Sequence, residues 1–201
     1  MQTVSASMVS ADVATQAELD AASLPSNASL DGRITAVEAT SPSQKLTASV
    51  AQATTSGTAK DFTVPAWAKR ITILFNGVST NGTSNLMVQA ITGASTVVAT
   101  GYLGSCNGPF NASPQGAAYS TGFRMTNIAA ATDVIYGHMV LAVIPGSNTW
   151  VESHNLGYSS SATVTIGGGN IVLGAALTGL RLTATNGTDA FDAGSVSILY
   201  E

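Results

Sequence analysis

Apolar and polar residues alternate in short runs from about residue 46 to the end of the chain. In residues 71–75, 180–185 and 196–201 an apolar side chain recurs at every second position, a period typical of strands with one buried face. Residues 134–144 are apolar almost throughout, which predicts a strand buried on both faces. Further candidate strands lie near residues 46–53, 86–92, 95–103, 119–126, 148–156 and 161–166. The pattern predicts an all-β fold over residues 46–201, an antiparallel β-sandwich with a jelly-roll-like arrangement.

Residues 1–45 show a different pattern and predict a short N-terminal α-helical stem. Leu30, Ile34 and Val37 fall at positions i, i+4 and i+7, which gives a stripe as narrow as a coiled-coil seam. A helix this short is unstable alone in water, so we expect it to need sister chains or a docking site. Ser41-Pro42-Ser43 ends the pattern. The alternative is a linker that shows the period by chance.

The segment from residue 101 to residue 122 is rich in glycine, asparagine and proline. That composition predicts a long exposed loop and not a strand. Long loops on rigid β-scaffolds are frequent recognition sites. The candidate receptor-facing residues of this loop are Tyr102, Asn107, Phe110, Asn111, Gln115 and Tyr119.

Composition limits the partners. Only 9% of the residues are charged, against about 25% in typical soluble domains, and the net charge is −4. The seven basic residues are scattered, so nucleic acid is not an expected partner. The longest apolar stretch is too short to span a bilayer, so no membrane insertion is expected. The first residues lack a secretory signal pattern, so we expect a product that is made in a cytoplasm and stays soluble.

Few residues could carry chemistry. The two histidines, His138 and His154, do not have the spacing of a metal site, and His138 is expected in the interior or at an interface. Asp189 and Asp192 follow Asn186-Gly187 and are expected to close that turn; a glycan-cleaving carboxylate pair is the alternative. Gly167-Gly168-Gly169 predicts a hairpin tip or bulge. We therefore expect no catalytic residue, no cofactor and no metal.

Three segments resemble a known family. Residues 55–83, 146–153 and 178–201, the last ending in Thr-Asp-Ala-Phe-Asp-Ala-Gly-Ser-Val-Ser-Ile-Leu-Tyr-Glu, are similar to the C-terminal β-sandwich domain of tailed-bacteriophage tail-fibre and tail-tip proteins. The resemblance implies a non-enzymatic virion protein, a homotrimer that binds a glycan or protein on the host surface. Residues 1–45 would then contact other virion proteins. Because the stem is short, a capsid decoration or head-fibre protein is the alternative.

Overall fold

The computed structural model describes residues 29–35, 46–110, 113–125, 131–159 and 163–201. Residues 29–35 form a short helix, α1. The described strands belong to one compact unit, Lys45–Glu201. They are β1 (Thr47–Ala48), β2 (Gln52–Ala53), β3 (Ala59–Thr63), β4 (Arg70–Thr80), β5 (Leu86–Thr92), β6 (Thr96–Val97), β7 (Tyr102–Phe110), β8 (Ser113–Tyr119), β9 (Phe123–Arg124), β10 (Ile135–Val143), β11 (Thr149–Tyr158), β12 (Thr163–Val172), β13 (Leu177–Ala184) and β14 (Phe191–Tyr200).

The strands form two antiparallel sheets of unequal size. The large sheet has nine strands in the order β1-β14-β4-β10-β11-β12-β7-β8, with β2 paired to β14. The small sheet has five strands in the order β3-β13-β5-β6, with β9 paired to β5. Residues of both sheets enter one buried hydrophobic cluster. The expected all-β antiparallel sandwich is therefore confirmed for the described residues.

Alternation places each strand's apolar side chains between the sheets. In β11, Trp150, Leu156 and Tyr158 are buried, while Val151 and Ser153 between them are exposed. Successive side chains of a strand point to opposite faces, so one parity meets the small sheet and the other meets solvent. We call the two sides of the large sheet its inner and outer faces.

Tyr102 of β7 ties the large sheet to the small one. Its side chain is fully buried, and its hydroxyl accepts a hydrogen bond from the Ala90 amide at 2.7 Å and donates one to the Val98 carbonyl at 2.9 Å. Its ring also meets the ring of Phe123 edge to face, with the centroids 5.0 Å apart. A buried phenol with both hydrogen-bonding capacities used fixes the spacing of the sheets at this end.

The turn between β13 and β14 is held by Asp189. One carboxylate oxygen accepts from the Ser84 amide at 2.9 Å, and the other accepts from the Asn186 side-chain amide at 2.6 Å. The side-chain oxygen of Asn186 in turn accepts from the backbone amides of Thr188 and Asp189. Asp192 accepts a hydrogen bond from the hydroxyl of Ser79. Asp189 thus holds the turn as expected, whereas Asp192 lies in β14 and accepts from Ser79 of β4 instead of closing the turn.

Residues 101–122 are not the exposed loop that their composition predicted. β7 and β8 pair along their lengths, from Gly104 with Tyr119 to Phe110 with Ser113, and form a hairpin at the edge of the large sheet. An edge strand tolerates glycine and proline because one of its sides needs no hydrogen-bonding partner. Composition was therefore a misleading guide to structure in this segment.

Two further expectations are wrong. Gly167-Gly168-Gly169 lies within β12 and not at a hairpin tip. β10 is not buried on both faces: Met139 and Leu141 are buried, but Tyr136 and His138 are exposed. Of the two places expected for His138, the interior is therefore wrong, and a position at an interface stays a prediction. The apolar run was read as two buried faces because the outer face of this sheet carries apolar side chains in contact with solvent.

Replacing Asp189 by Asn is expected to lower the free energy of unfolding at pH 7 by about 1 kcal/mol, since an amide cannot accept both hydrogen bonds as an anion does. Hydrogen bonds from Asn186 and Ser84 hold the pKa of Asp189 below its ordinary value. Such a group stabilises the fold above its unfolded pKa and stops doing so as pH falls through its folded pKa. Urea unfolding should show the difference at pH 7 and little difference well below pH 4. A gap that persists in acid would contradict this role.

The buried hydroxyl of Tyr102 is expected to make the stability of the fold sensitive to alkaline pH. Burial raises the pKa of Tyr102 to about 12 from 10.0. A raised pKa means that its stabilising effect is complete below about pH 10 and is lost as pH rises towards 12, by about 3 kcal/mol in all. Tyr102→Phe should be less stable at pH 8, because two hydrogen bonds are lost, but its stability should fall less steeply above pH 10. Equal slopes in denaturant unfolding would refute the assignment.

Candidate interaction surface

Three buried polar side chains meet on the inner face, beneath β8 and β11. We call Tyr119, Glu152 and His154 the inner polar cluster. Nδ1 of His154 lies 2.6 Å from one Glu152 carboxylate oxygen, and the Tyr119 hydroxyl donates to the other at 3.0 Å. The side chains of Glu152 and His154 are 0% exposed. A buried carboxylate is tolerated only with such partners, and each Glu152 oxygen has one, whereas Nε2 of His154 is buried without a hydrogen-bonding partner among the described residues.

Glycines in two neighbouring strands make room for the cluster. A Cβ atom at Gly167 would lie 2.2 Å from Cε1 of His154, which is closer than atoms can approach. A Cβ at Gly104 would lie 2.4 Å from the Tyr119 ring, and one at Gly169 would lie 2.5 Å from its hydroxyl oxygen. Because these glycines of β7 and β12 have no side chain, the rings of Tyr119 in β8 and His154 in β11 occupy the space beside them.

The cluster has the residue types of a nucleophilic site but lacks access. Cys106 is paired with Gly167, which is paired with His154, so the thiol lies in the same row of the sheet as the imidazole. A thiol, an imidazole and a carboxylate are the groups that cysteine hydrolases combine. Here Cys106 is buried as well, at 2% exposure. Burial and the negative charge of Glu152 raise the pKa of Tyr119, so it stays a neutral donor. This arrangement can hold strands together but offers a substrate no entrance.

The outer face of β10, β11, β12, β7 and β8 is open to solvent and carries no Asp, Glu, Lys or Arg among its described side chains. We call it the uncharged face. Several large apolar side chains on it are exposed: Leu103 70%, Tyr136 47%, Val151 43%, Val164 50%, Ile166 59% and Val172 70%. A contiguous exposed apolar surface of this kind marks an interaction site more often than does a single exposed side chain.

The register of the strands arranges the uncharged face into rows. Ile166 of β12 stands between Asn155 of β11 and Asn107 of β7. One row further along, Gly168 stands between Ser153 and Ser105. An apolar ridge on β12, made of Val164, Ile166 and Val172, is therefore flanked by amide and hydroxyl groups, and Gly168 and Asn170 interrupt it between Ile166 and Val172.

The candidate loop residues are divided between the two faces. Tyr102 and Tyr119 are buried, at 0% and 7% exposure, so their expected placement in a receptor-facing loop is wrong. Asn107 is exposed on the uncharged face. Phe110 and Gln115 belong to β7 and β8, and Asn111 lies outside the described residues.

Of the stem residues, Leu30 and Ile34 are 51% and 55% exposed on α1, and Val37 lies outside the described residues.

The exposed apolar residues of the uncharged face were not predicted from the sequence. Residues 163–172 carry apolar side chains at both parities, with Val164 and Ile166 on one side and Ile171 on the other. That double pattern was the available signal for an apolar outer face.

Comparisons with known proteins add no relative: no family model, no curated protein and no solved structure matches the chain. No helix among the described residues is long and apolar enough to cross a membrane. The same residues contain no group of three or more His, Cys, Asp or Glu side chains that could hold a metal ion.

Replacing Gly167 by Ala should destabilise the fold by about 1–3 kcal/mol, because the new methyl group overlaps the buried ring of His154. Gly168→Ala is a matched control one residue away, since its Cβ would point outward and meet its nearest neighbour at 3.4 Å. The control should change stability by less than about 0.5 kcal/mol. Urea unfolding of both variants tests the interpretation, which fails if the two lose equal stability.

Proposed function

We propose that the chain is a structural protein of a bacteriophage virion, a trimeric tail-fibre tip that binds the host cell surface. The observation that carries the proposal is the uncharged face, a broad exposed surface of apolar and amide side chains on one side of the sandwich. Such a protein acts through contacts and not through a reacting group. The resemblance of residues 55–83 and 178–201 to tail-fibre domains supports the same conclusion.

The chemistry of the surface suits a glycan or protein ligand. Asn107 lies on the uncharged face, close to the outer edge of the large sheet, and its side chain can both donate and accept hydrogen bonds. Binding through amides, hydroxyls and apolar groups is little affected by salt, whereas ion pairs are screened. A particle that meets its host in varied media gains from that property. We assign the receptor to the end of the β7–β8 hairpin, where residues 108–110 of β7 pair with residues 113–115 of β8 beyond the last pairing of β7 with β12 at Asn107, so the rows around β12 stay open to other contacts.

The N-terminal segment completes the proposal. Residues 1–45 attach the head to other virion proteins, and Leu30, Ile34 and Val37 form a three-fold seam. The exposure of Leu30 and Ile34 on α1 supports this, because two large apolar side chains on a short isolated helix need a partner. The helical stem and the jelly-roll-like strand arrangement are the finer parts of the proposed architecture. No cofactor, metal or catalytic residue is included.

A capsid decoration or head-fibre protein is the second candidate. The same hairpin end would then contact the shell. The two candidates differ in where the protein sits and in whether it meets the host.

Labelling intact virions with an antibody to the β-sandwich head should place the label at the tail end, as seen by electron microscopy. Purified protein should then compete with virions for the host surface and lower the adsorption rate, whereas heat-unfolded protein should not. Label spread over the capsid, with adsorption unaffected, would replace the tail-fibre proposal by the decoration alternative.

A further inference from the structure

We infer that the uncharged face is a contact between copies of this chain. The trimer proposed above is held by the stem, so this inference adds a second, independent contact through the head. It rests on the composition, size and hydrogen-bonding groups of the face and does not require the virion assignment.

The exposed apolar side chains of the uncharged face favour binding to another surface. Val164, Ile166 and Val172 of β12 expose half or more of their side chains to water along one strand, and Leu103 of β7 adds a fourth beside them. Removing apolar surface from water is favourable by roughly 25 cal/mol per Å². A ridge of this kind at the centre of a sheet, away from its edges, is therefore stabilised when another surface covers it.

The charges of the head point to the identity of that partner. The described ion pairs lie elsewhere: Arg181 with Asp61 on the small sheet, and Arg70 with Glu201 at the start of β4 and the end of the chain. A charged partner such as nucleic acid or an anionic membrane would find no counter-charge on the face. A second copy brings an equally uncharged surface, so no like charges are brought together.

The size of the face is appropriate. Its five strands are 7 to 10 residues long. With strands about 4.8 Å apart and about 3.3 Å per residue, the face measures roughly 24 by 27 Å, or about 650 Å² in projection. A stable complex buries about 800 Å² on each partner, and the true surface of side chains exceeds their projection. The face alone therefore approaches what a specific contact needs.

Polar groups on the face can pair with their own copies. Asn107 and Asn155 flank the ridge at Ile166, and each amide carries both a donor and an acceptor. The hydroxyls of Ser105 and Ser153 have the same dual capacity. An apolar centre with amides around it is the arrangement of a protein–protein contact, and groups that both donate and accept can bond to identical groups.

The test uses the full chain and compares charge placed on and off the face. Val164→Lys with Ile166→Lys puts two charges on the ridge, and both positions are exposed in the single chain, so circular dichroism should show an unchanged fold. Val50→Lys is the control, since Val50 is 88% exposed and lies between β1 and β2, remote from β12 in the strand order. Ile34→Asp removes the proposed stem seam separately.

Sedimentation velocity and light scattering should find the wild-type chain and the Val50→Lys variant associated. The double lysine variant should raise the Kd between copies at least about 100-fold, because burying even one unpaired charge costs several kcal/mol. Loss of association in that variant supports the inference whether or not Ile34→Asp also weakens assembly. A monomeric wild-type chain, unchanged association of the double variant, or equal loss in Val50→Lys would overturn it. Virion labelling is independent of these results, so failure here leaves the proposed function separately testable.

Discussion

The structure depends on closing a nine-stranded sheet with a five-stranded one. At β7 and β8 the two sheets meet through aromatic side chains, because the rings of Tyr102 and Tyr119 both contact Phe123 of β9. Tyr102 also reaches across to the backbone of the small sheet. Beside them, Tyr119 and His154 each bond one oxygen of the buried Glu152 carboxylate, which offsets the cost of burying it. Nε2 of His154 has no hydrogen-bonding partner among the described residues.

This closure explains why glycine is placed where it is. Gly104, Gly167 and Gly169 weaken strand formation locally, since glycine loses more conformational freedom than any other residue. In return, each leaves space for a buried ring of a neighbouring strand. Glycine in β7 and β12 is thus a packing device and not a sign of a turn. The same reasoning accounts for the edge hairpin, whose composition resembles that of a loop although residues 104–110 of β7 pair with residues 113–119 of β8.

Alternation was enough to predict the fold class and most strands, because burial of one face imposes a period of two on the sequence. Alternation was not enough where one residue type serves two structural purposes. Glycine marks turns and also marks close packing, so residues 101–122 and 167–169 were misread. In β11, Glu152 and His154 have the same parity as Trp150 and Leu156, a signal that they face inward. Which of the two histidines is buried could have been read from that parity. Glu152 and His154 bond each other within β11, whereas the second partner of Glu152 is Tyr119 of β8, which no local pattern specifies.

The two faces of the large sheet therefore answer different requirements. On the inner face, Tyr119 and His154 bond the buried carboxylate of Glu152. The outer face of β10, β11, β12, β7 and β8 bears apolar side chains and amides and no Asp, Glu, Lys or Arg among its described side chains, whereas Arg70 and Glu201 form an ion pair elsewhere on the large sheet. Folding alone does not require such an exclusion, because solvent-facing strand positions tolerate lysine and glutamate readily and gain solubility from them. The absence of charge from this face therefore favours its contact with another uncharged surface.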